Sequence, residues 1–201
     1  MSVSELPIID LSPLQSSNPS DYKKVGMELC KAASTVGFFY IKNHGISQIE
    51  IKEIFDISKR FFASEEHQKS AVSISPFHRG WLRIGAAKMY GHKESDYKES
   101  FVWGLEVTKD DPDFRAGRRL LAPNQWPTFI PEMRKKLAAY FTEVQICGEK
   151  LLEAFAKGLQ VPGDYFLKET DKPVSRGALI YYPPNQPNRY PSQRLPEKYG
   201  R

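Results

Sequence analysis

Cysteine is scarce in this chain: Cys30 and Cys147 are the only two among 201 residues, both inside helical patterns and far apart in sequence. Neither has a Cys or His at zinc-ligand spacing, which argues against a disulfide framework or a zinc site and for two buried, reduced thiols. Histidine runs out early. His44, His67, His78 and His92 are all there are, and none follows. No window approaches the roughly 20 apolar residues of a membrane span. The opening residues Met1–Pro7 lack the basic and apolar regions of a leader, so a cytoplasmic location and no membrane partner are expected. There is no Gly-rich phosphate loop, no G-x-S-x-G elbow and no internal repeat. The acid pairs Glu65-Glu66 and Asp110-Asp111 sit in polar stretches without an enclosing apolar pocket, so they read as solvated surface.

What is present is an ordinary globular composition, 40% hydrophobic and 26% charged. The length suits one domain with a real core. The formal charge is +5, of which +4 lies in residues 168–201. Those C-terminal charges are interleaved with prolines and follow no helical face. A solvated tail is therefore expected, and no nucleic-acid partner.

Pro7–Leu11 reads as an opening strand ended by Ser12-Pro13. A helix follows, with Ser20 as its N-cap, an apolar face through Tyr22, Val25, Leu29, Ala32, Ala33 and Val36, and Gly37 as its left-handed terminator. Phe38–Ile41 reads as a buried strand turned by Asn43-His44-Gly45. Ser47-Gln48-Ile49-Glu50 is a capping box, and Ile51, Ile54, Phe55, Ser58, Phe61 and Phe62 mark the buried face of the helix it starts. A short third helix begins near Ser64-Glu65-Glu66, short strands and turns fill 80–107, and 108–127 is a surface connection. The longest helix spans roughly Pro131 to Gly158 on a stripe including Met133, Leu137, Val144, Cys147 and Phe155. A helical turn near Asp164 and a strand at Ala178–Tyr182 complete the pattern, which dissolves after Pro183-Pro184.

Several of these segments, in this order, are similar to the isopenicillin N synthase-like branch of the iron(II)/2-oxoglutarate oxygenases. They are Leu6–Leu11, Gly37 through Ile46 (GFFYIKNHGI), the Phe61-Phe62 helix end, Asp96 through Phe101 (DYKESF), Asn124-Gln125-Trp126-Pro127, the long helix, and Arg176 through Tyr181-Tyr182-Pro183-Pro184. The resemblance implies an α+β fold, a mixed helical N-terminal region leading into a double-stranded β-helix (jelly roll). It divides the chain into a dioxygenase-type N-terminal region at 1–127, the long helix and first jelly-roll strand at 128–184, and a disordered basic tail at 185–201.

The family holds Fe(II) with an H-x-D/E pair and a distant second His, leaving open positions for O₂ and cosubstrate. The one nominal pair, His92-Lys93-Glu94, lies upstream of the long helix, the wrong place for the family. His44 matches the family's Asn-His-Gly turn and reads as structural, while His67 and His78 read as solvated. No catalytic residue and no metal ligand is therefore assigned. The resemblance puts Tyr182 where relatives bond the cosubstrate carboxylate, although a strand aromatic packing on the long helix is at least as good a reading. It puts Arg79 and Arg83 in the loop where relatives line the substrate pocket, although a surface position is the simpler reading for both arginines. Gly85-Ala86-Ala87 departs from the family's Gly-x-Glu. The expectation is a truncated member of the family, whose intact relatives oxidise a small organic molecule with Fe(II), 2-oxoglutarate and O₂, and which by itself is inactive and binds neither cofactor. The alternative is a non-catalytic interaction remnant with an open sheet edge that self-associates or captures a partner.

Overall fold

The computed structural model describes residues 5–16, 18–88, 91, 95–168, 170 and 172–184. The nominal pair His92/Glu94 and the tail 185–201 lie outside the described residues. The chain divides into two compact units, one built from Met1–Phe55 and Lys135–Pro173, the other from Asp56–Arg134 and Val174–Arg201. The architecture is carried by β1 (Ile8–Asp10), α1 (Pro19–Thr35), β2 (Tyr40–Lys42), α2 (Gln48–Ala63), α3 (Glu66–Ser70), β3 (Gly80–Leu82), β4 (Glu99–Gly104), α4 (Pro112–Arg115), α5 (Met133–Gly158) and β5 (Arg176–Tyr181). The mixed α+β character is as expected.

In the first unit β1 and β2 pair in parallel, with Ile8 opposite Tyr40 and Asp10 opposite Lys42. Parallel neighbours need a crossover, which α1 supplies. The N-cap of α1 is Asn18, whose side chain accepts from the Ser20 N–H at 3.1 Å. This corrects the expectation of Ser20: Pro19 has no N–H to give and fits the first helical position, so the cap falls one residue before it. Gly37 ends the helix with φ +82°, as expected, and its N–H reaches back to the Ala32 carbonyl at 3.1 Å. The capping box also forms, with Ser47 N–H donating to Glu50 Oε2 at 3.3 Å and Glu50 N–H to Ser47 Oγ at 3.1 Å.

The core of this unit gathers Ile9, Leu11 and Leu14 with Val25, Leu29 and Ala32 of α1 and Cys147 and Ala154 of α5. Cys147 is buried and Cys30 half-buried, both as free thiols. The α1 and α5 backbones touch. A Cβ on Gly26 would overlap the Ala154 carbonyl oxygen, and one on Gly158 would overlap the Gly26 backbone. Two expectations are corrected here. The strand after Gly37 is not buried: alternation turns Phe39 and Ile41 onto the core, and leaves Phe38 and Tyr40 more than half exposed. On α2, Ile54, Ile57, Phe61 and Phe62 are the buried residues, whereas Phe55 is exposed, one residue and so about 100° round from Ile54.

The second unit is organised by an antiparallel sheet of order β3-β4-β5. Trp81 lies opposite Phe101, and β4 pairs with β5 over six residues from Glu99–Tyr181 to Gly104–Arg176. The last strand is thus not a lone one. It is fully paired on one side and, among the described residues, is an edge on the other. Phe61 centres an aromatic cluster, with ring centroids 5.3 Å from Phe62, 5.0 Å from Phe101 and 6.0 Å from Phe129. Phe62 in turn stacks on Tyr181 at 5.5 Å. The connection at 108–127 is only partly superficial, because Leu121 and Ala122 are buried. Asn124 clasps Gly104 through both its N–H and C=O at 2.9 Å, and Gln125 donates to the Ser73 and Arg79 carbonyls at 2.8 and 2.6 Å. Side-chain amides mimic a further strand there.

Candidate functional site

Strand alternation gives the three-stranded sheet two unlike faces. One carries Trp81, then Glu99, Phe101 and Trp103, then Leu179. All five are buried, and Tyr181 on the same face stacks on α2 through Phe62. The other carries Arg176, Ala178 and Ile180 of β5, all exposed, whereas on β4 Val102 is half-buried and Ser100 buried. Tyr182, the next residue in the alternation, belongs to this open face and is 67% exposed. Lys98 shares it. Its ammonium sits 2.8 Å from the Asp96 carboxylate, and that hydrogen bond, with the nearby Tyr182, raises its pKa above the ordinary lysine value against a smaller opposing effect of burial.

The covered face holds an unusual group. Glu99 is a carboxylate on the apolar side of β4. Its oxygens accept from Lys69 Nζ at 3.0 and 3.2 Å and from the Trp81 indole N–H at 2.6 Å. Lys69 also donates to the Phe62 carbonyl at 3.1 Å and lies 5.3 Å from the Trp81 ring centroid. Side-chain exposure is only 9% for Lys69 and 5% for Glu99. Burying two charges is tolerable only with such complete pairing. The group forms the floor of a cavity of about 360 Å³, whose walls include Glu66, Arg83 and Tyr97. Sequence reasoning passed over this group. The available signal was a charged residue alternating with Phe101 and Trp103 on one strand face.

The arginines part company. Arg83 is exposed at the cavity rim, as the surface reading expects. Arg79 is fully buried, which corrects that reading for it. Its guanidinium donates to the Leu120 carbonyl at 2.7 Å and the His78 carbonyl at 3.3 Å. Its Nε has no partner among the described residues. Burial, and secondarily the charge of Arg176, lower its pKa. Arg79 thus holds the chain around β3 to the 118–122 segment.

No three His, Cys, Asp or Glu side chains converge at metal-binding distance among the described residues. His44 Nδ1 accepts from the Ile46 N–H at 3.2 Å, a turn-forming role, and His67 and His78 are exposed. These residues do not fit an Fe(II) site. Among the described residues no helix is long and apolar enough to cross a membrane.

Residues 6–129 match the family described as non-haem dioxygenase in morphine synthesis N-terminal. A 1-aminocyclopropane-1-carboxylate oxidase of Dictyostelium mucoroides is 30% identical over 186 residues, covering 90% of this chain and 50% of the relative. A homoarginine-6-hydroxylase of Glycine max is 30% identical over 190 residues, covering 90% and 56%. The chain thus spans about half the length of the curated relatives it matches. Among solved structures, a 2OG-Fe(II) oxygenase family protein from Caulobacter crescentus superposes with a TM-score of 0.77 at 26% identity, over 91% of this chain and 58% of the other. A full-length Neurospora crassa protein crystallised in complex with alpha-KG, at TM-score 0.73 and 22% identity over 89% and 54%, shares the fold.

Proposed function

The chain belongs to the iron(II)/2-oxoglutarate oxygenase family through its N-terminal dioxygenase region, and from that premise we propose that residues 1–201 serve as the N-terminal half of an oxygenase for a small organic molecule. The iron ligands come from sequence outside these residues, and the chain by itself is inactive. The single observation that supports this best is the sheet with one face buried and the other open along β5. In this reading the open face carrying Tyr182 looks toward the cosubstrate, and Tyr182 contributes its hydroxyl to the 2-oxoglutarate carboxylate. Arg83, exposed after β3, is the arginine able to meet a substrate anion, whereas Arg79 supports the loop from within.

Iron binding tests this. Fe(II) added anaerobically to the purified chain, followed by desalting and metal analysis, is expected to leave no stoichiometric iron. One iron retained per chain and lost on His92→Ala would overturn it.

A second reading, a non-catalytic interaction module, is favoured by β5. Among the described residues it is an edge strand, and Ile180 and Tyr181 are 48% and 39% exposed. Such edges template strand addition, and self-association through β5 follows from it.

A further inference from the structure

The cavity over the Lys69–Glu99 pair has a charge pattern that selects one class of ligand. Its four charged lining residues are two acids and two bases. Lys69 and Glu99 neutralise each other at the floor, 3.0 Å apart and nine-tenths buried. Glu66 on α3 and Arg83 after β3 make no ion pair or side-chain hydrogen bond with any described residue. Both are exposed at the rim. Among the described residues the cavity therefore presents one unneutralised anion and one unneutralised cation above a neutral floor, with Trp81 and Tyr97 in its walls.

A simple anion would meet Arg83 but also the carboxylate of Glu66. A simple cation would meet the reverse. An apolar molecule would strip water from the two rim charges without replacing its hydrogen bonds. A molecule with both charges satisfies both rim groups, and an apolar portion gains from the aromatic walls. The volume of about 360 Å³ is near the small end of ligand pockets, which limits the ligand to amino-acid size.

We propose that this cavity binds a small zwitterion of the amino-acid type, with its carboxylate on Arg83, its ammonium toward Glu66 and its side chain against Trp81 and Tyr97. The buried Lys69–Glu99–Trp81 group fixes the floor. The cavity opens on the helix-covered face of the sheet, opposite the face that Tyr182 follows. The proposal takes Arg83 for this cavity in place of the substrate anion of the oxygenase reading, and otherwise does not depend on that reading.

Saturation-transfer NMR on the 201-residue chain, with no iron or 2-oxoglutarate present, tests it with L-phenylalanine, L-leucine and L-arginine at millimolar concentration. The comparison probes are 3-phenylpropanoate, which lacks the amine, and 2-phenylethylamine, which lacks the carboxylate. At least one amino acid is expected to bind, with L-phenylalanine outcompeting both single-charge analogues by about tenfold. Arg83→Ala and Glu66→Ala, both at exposed positions, are each expected to weaken binding by about tenfold with an unchanged circular-dichroism spectrum. The proposal is overturned if none of the three amino acids binds, if a single-charge analogue binds as well as L-phenylalanine, or if either variant binds as tightly as the parent chain. Iron retention by the chain would leave this result untouched, so the two readings fail separately.

Discussion

Replacing Lys69 by Met keeps the length and apolar stem of the side chain but removes its ammonium. Glu99 would then sit 5% exposed with the Trp81 N–H as its remaining side-chain donor among the described residues. Breaking a buried pair by removing one partner costs about 3–5 kcal/mol, because the remaining charge is stranded in a poor solvent. The adjoining cavity admits water to one side, which favours the lower end of that range. Whole-domain stability is typically about 5–15 kcal/mol, so the single change should be conspicuous in a urea titration followed by circular dichroism. Glu99→Leu alone strands the ammonium and should cost a similar amount. The double variant Lys69→Met/Glu99→Leu removes both charges and should recover most of the loss, since apolar replacement of a buried pair is often near neutral. The double-mutant cycle isolates the coupling, expected at about 2 kcal/mol or more. Single variants that each lose less than about 1 kcal/mol, with additive effects, would refute the reasoning and place the pair among ordinary solvated surface ion pairs.

Gly26→Ala should destabilise the first unit by about 1–3 kcal/mol, because the added carbon meets backbone atoms that cannot rotate away; a falling thermal midpoint checks it, and an unchanged one would mean that α1 and α5 can part at no cost. Asp10 accepts from Asn43 Nδ2 and the Ser12 N–H, both at 2.9 Å, and these bonds hold its carboxyl well below the usual carboxylate range. The folded pKa is depressed, so its contribution to stability is present above the unfolded value near about 3.9 and is lost as pH falls from there through the folded pKa. Carboxyl-resolved NMR titration should show Asn43→Ala raising the Asp10 pKa toward that ordinary value. Ile180→Lys, on the open face of the edge strand, should reduce self-association in a sedimentation concentration series if β5 is the pairing edge; a parent chain that stays monomeric throughout the series would remove the argument.

Much of this protein was legible in its residues because the signals act over a few positions. The Ser47–Glu50 box, the left-handed Gly37 and the long periodic stripe of α5 each depend on neighbours within one or two helical turns. The ordered series of such segments also carried the family. Burial was legible only where periodicity is strict. Phe38 and Phe55 are as apolar as their buried neighbours, and only the direction in which the sheet and helix present them decides their exposure.

The chemistry of the covered face came from tertiary structure alone. Lys69 and Glu99 are 30 residues apart, and neither has a local partner that would single it out. They meet because the packing of Phe61 on Phe101 holds β4 against the end of α2, and α3 with Lys69 follows directly in the chain. Arg79 follows the same rule. As a residue type arginine belongs at the surface, and only the carbonyls of His78 and Leu120, one adjacent and one 41 positions away, make its burial tolerable. Hydrophobic period and turn chemistry are written along the chain, whereas the desolvation of a charge depends on what the fold brings around it, so the first can be read in order and the second only in space.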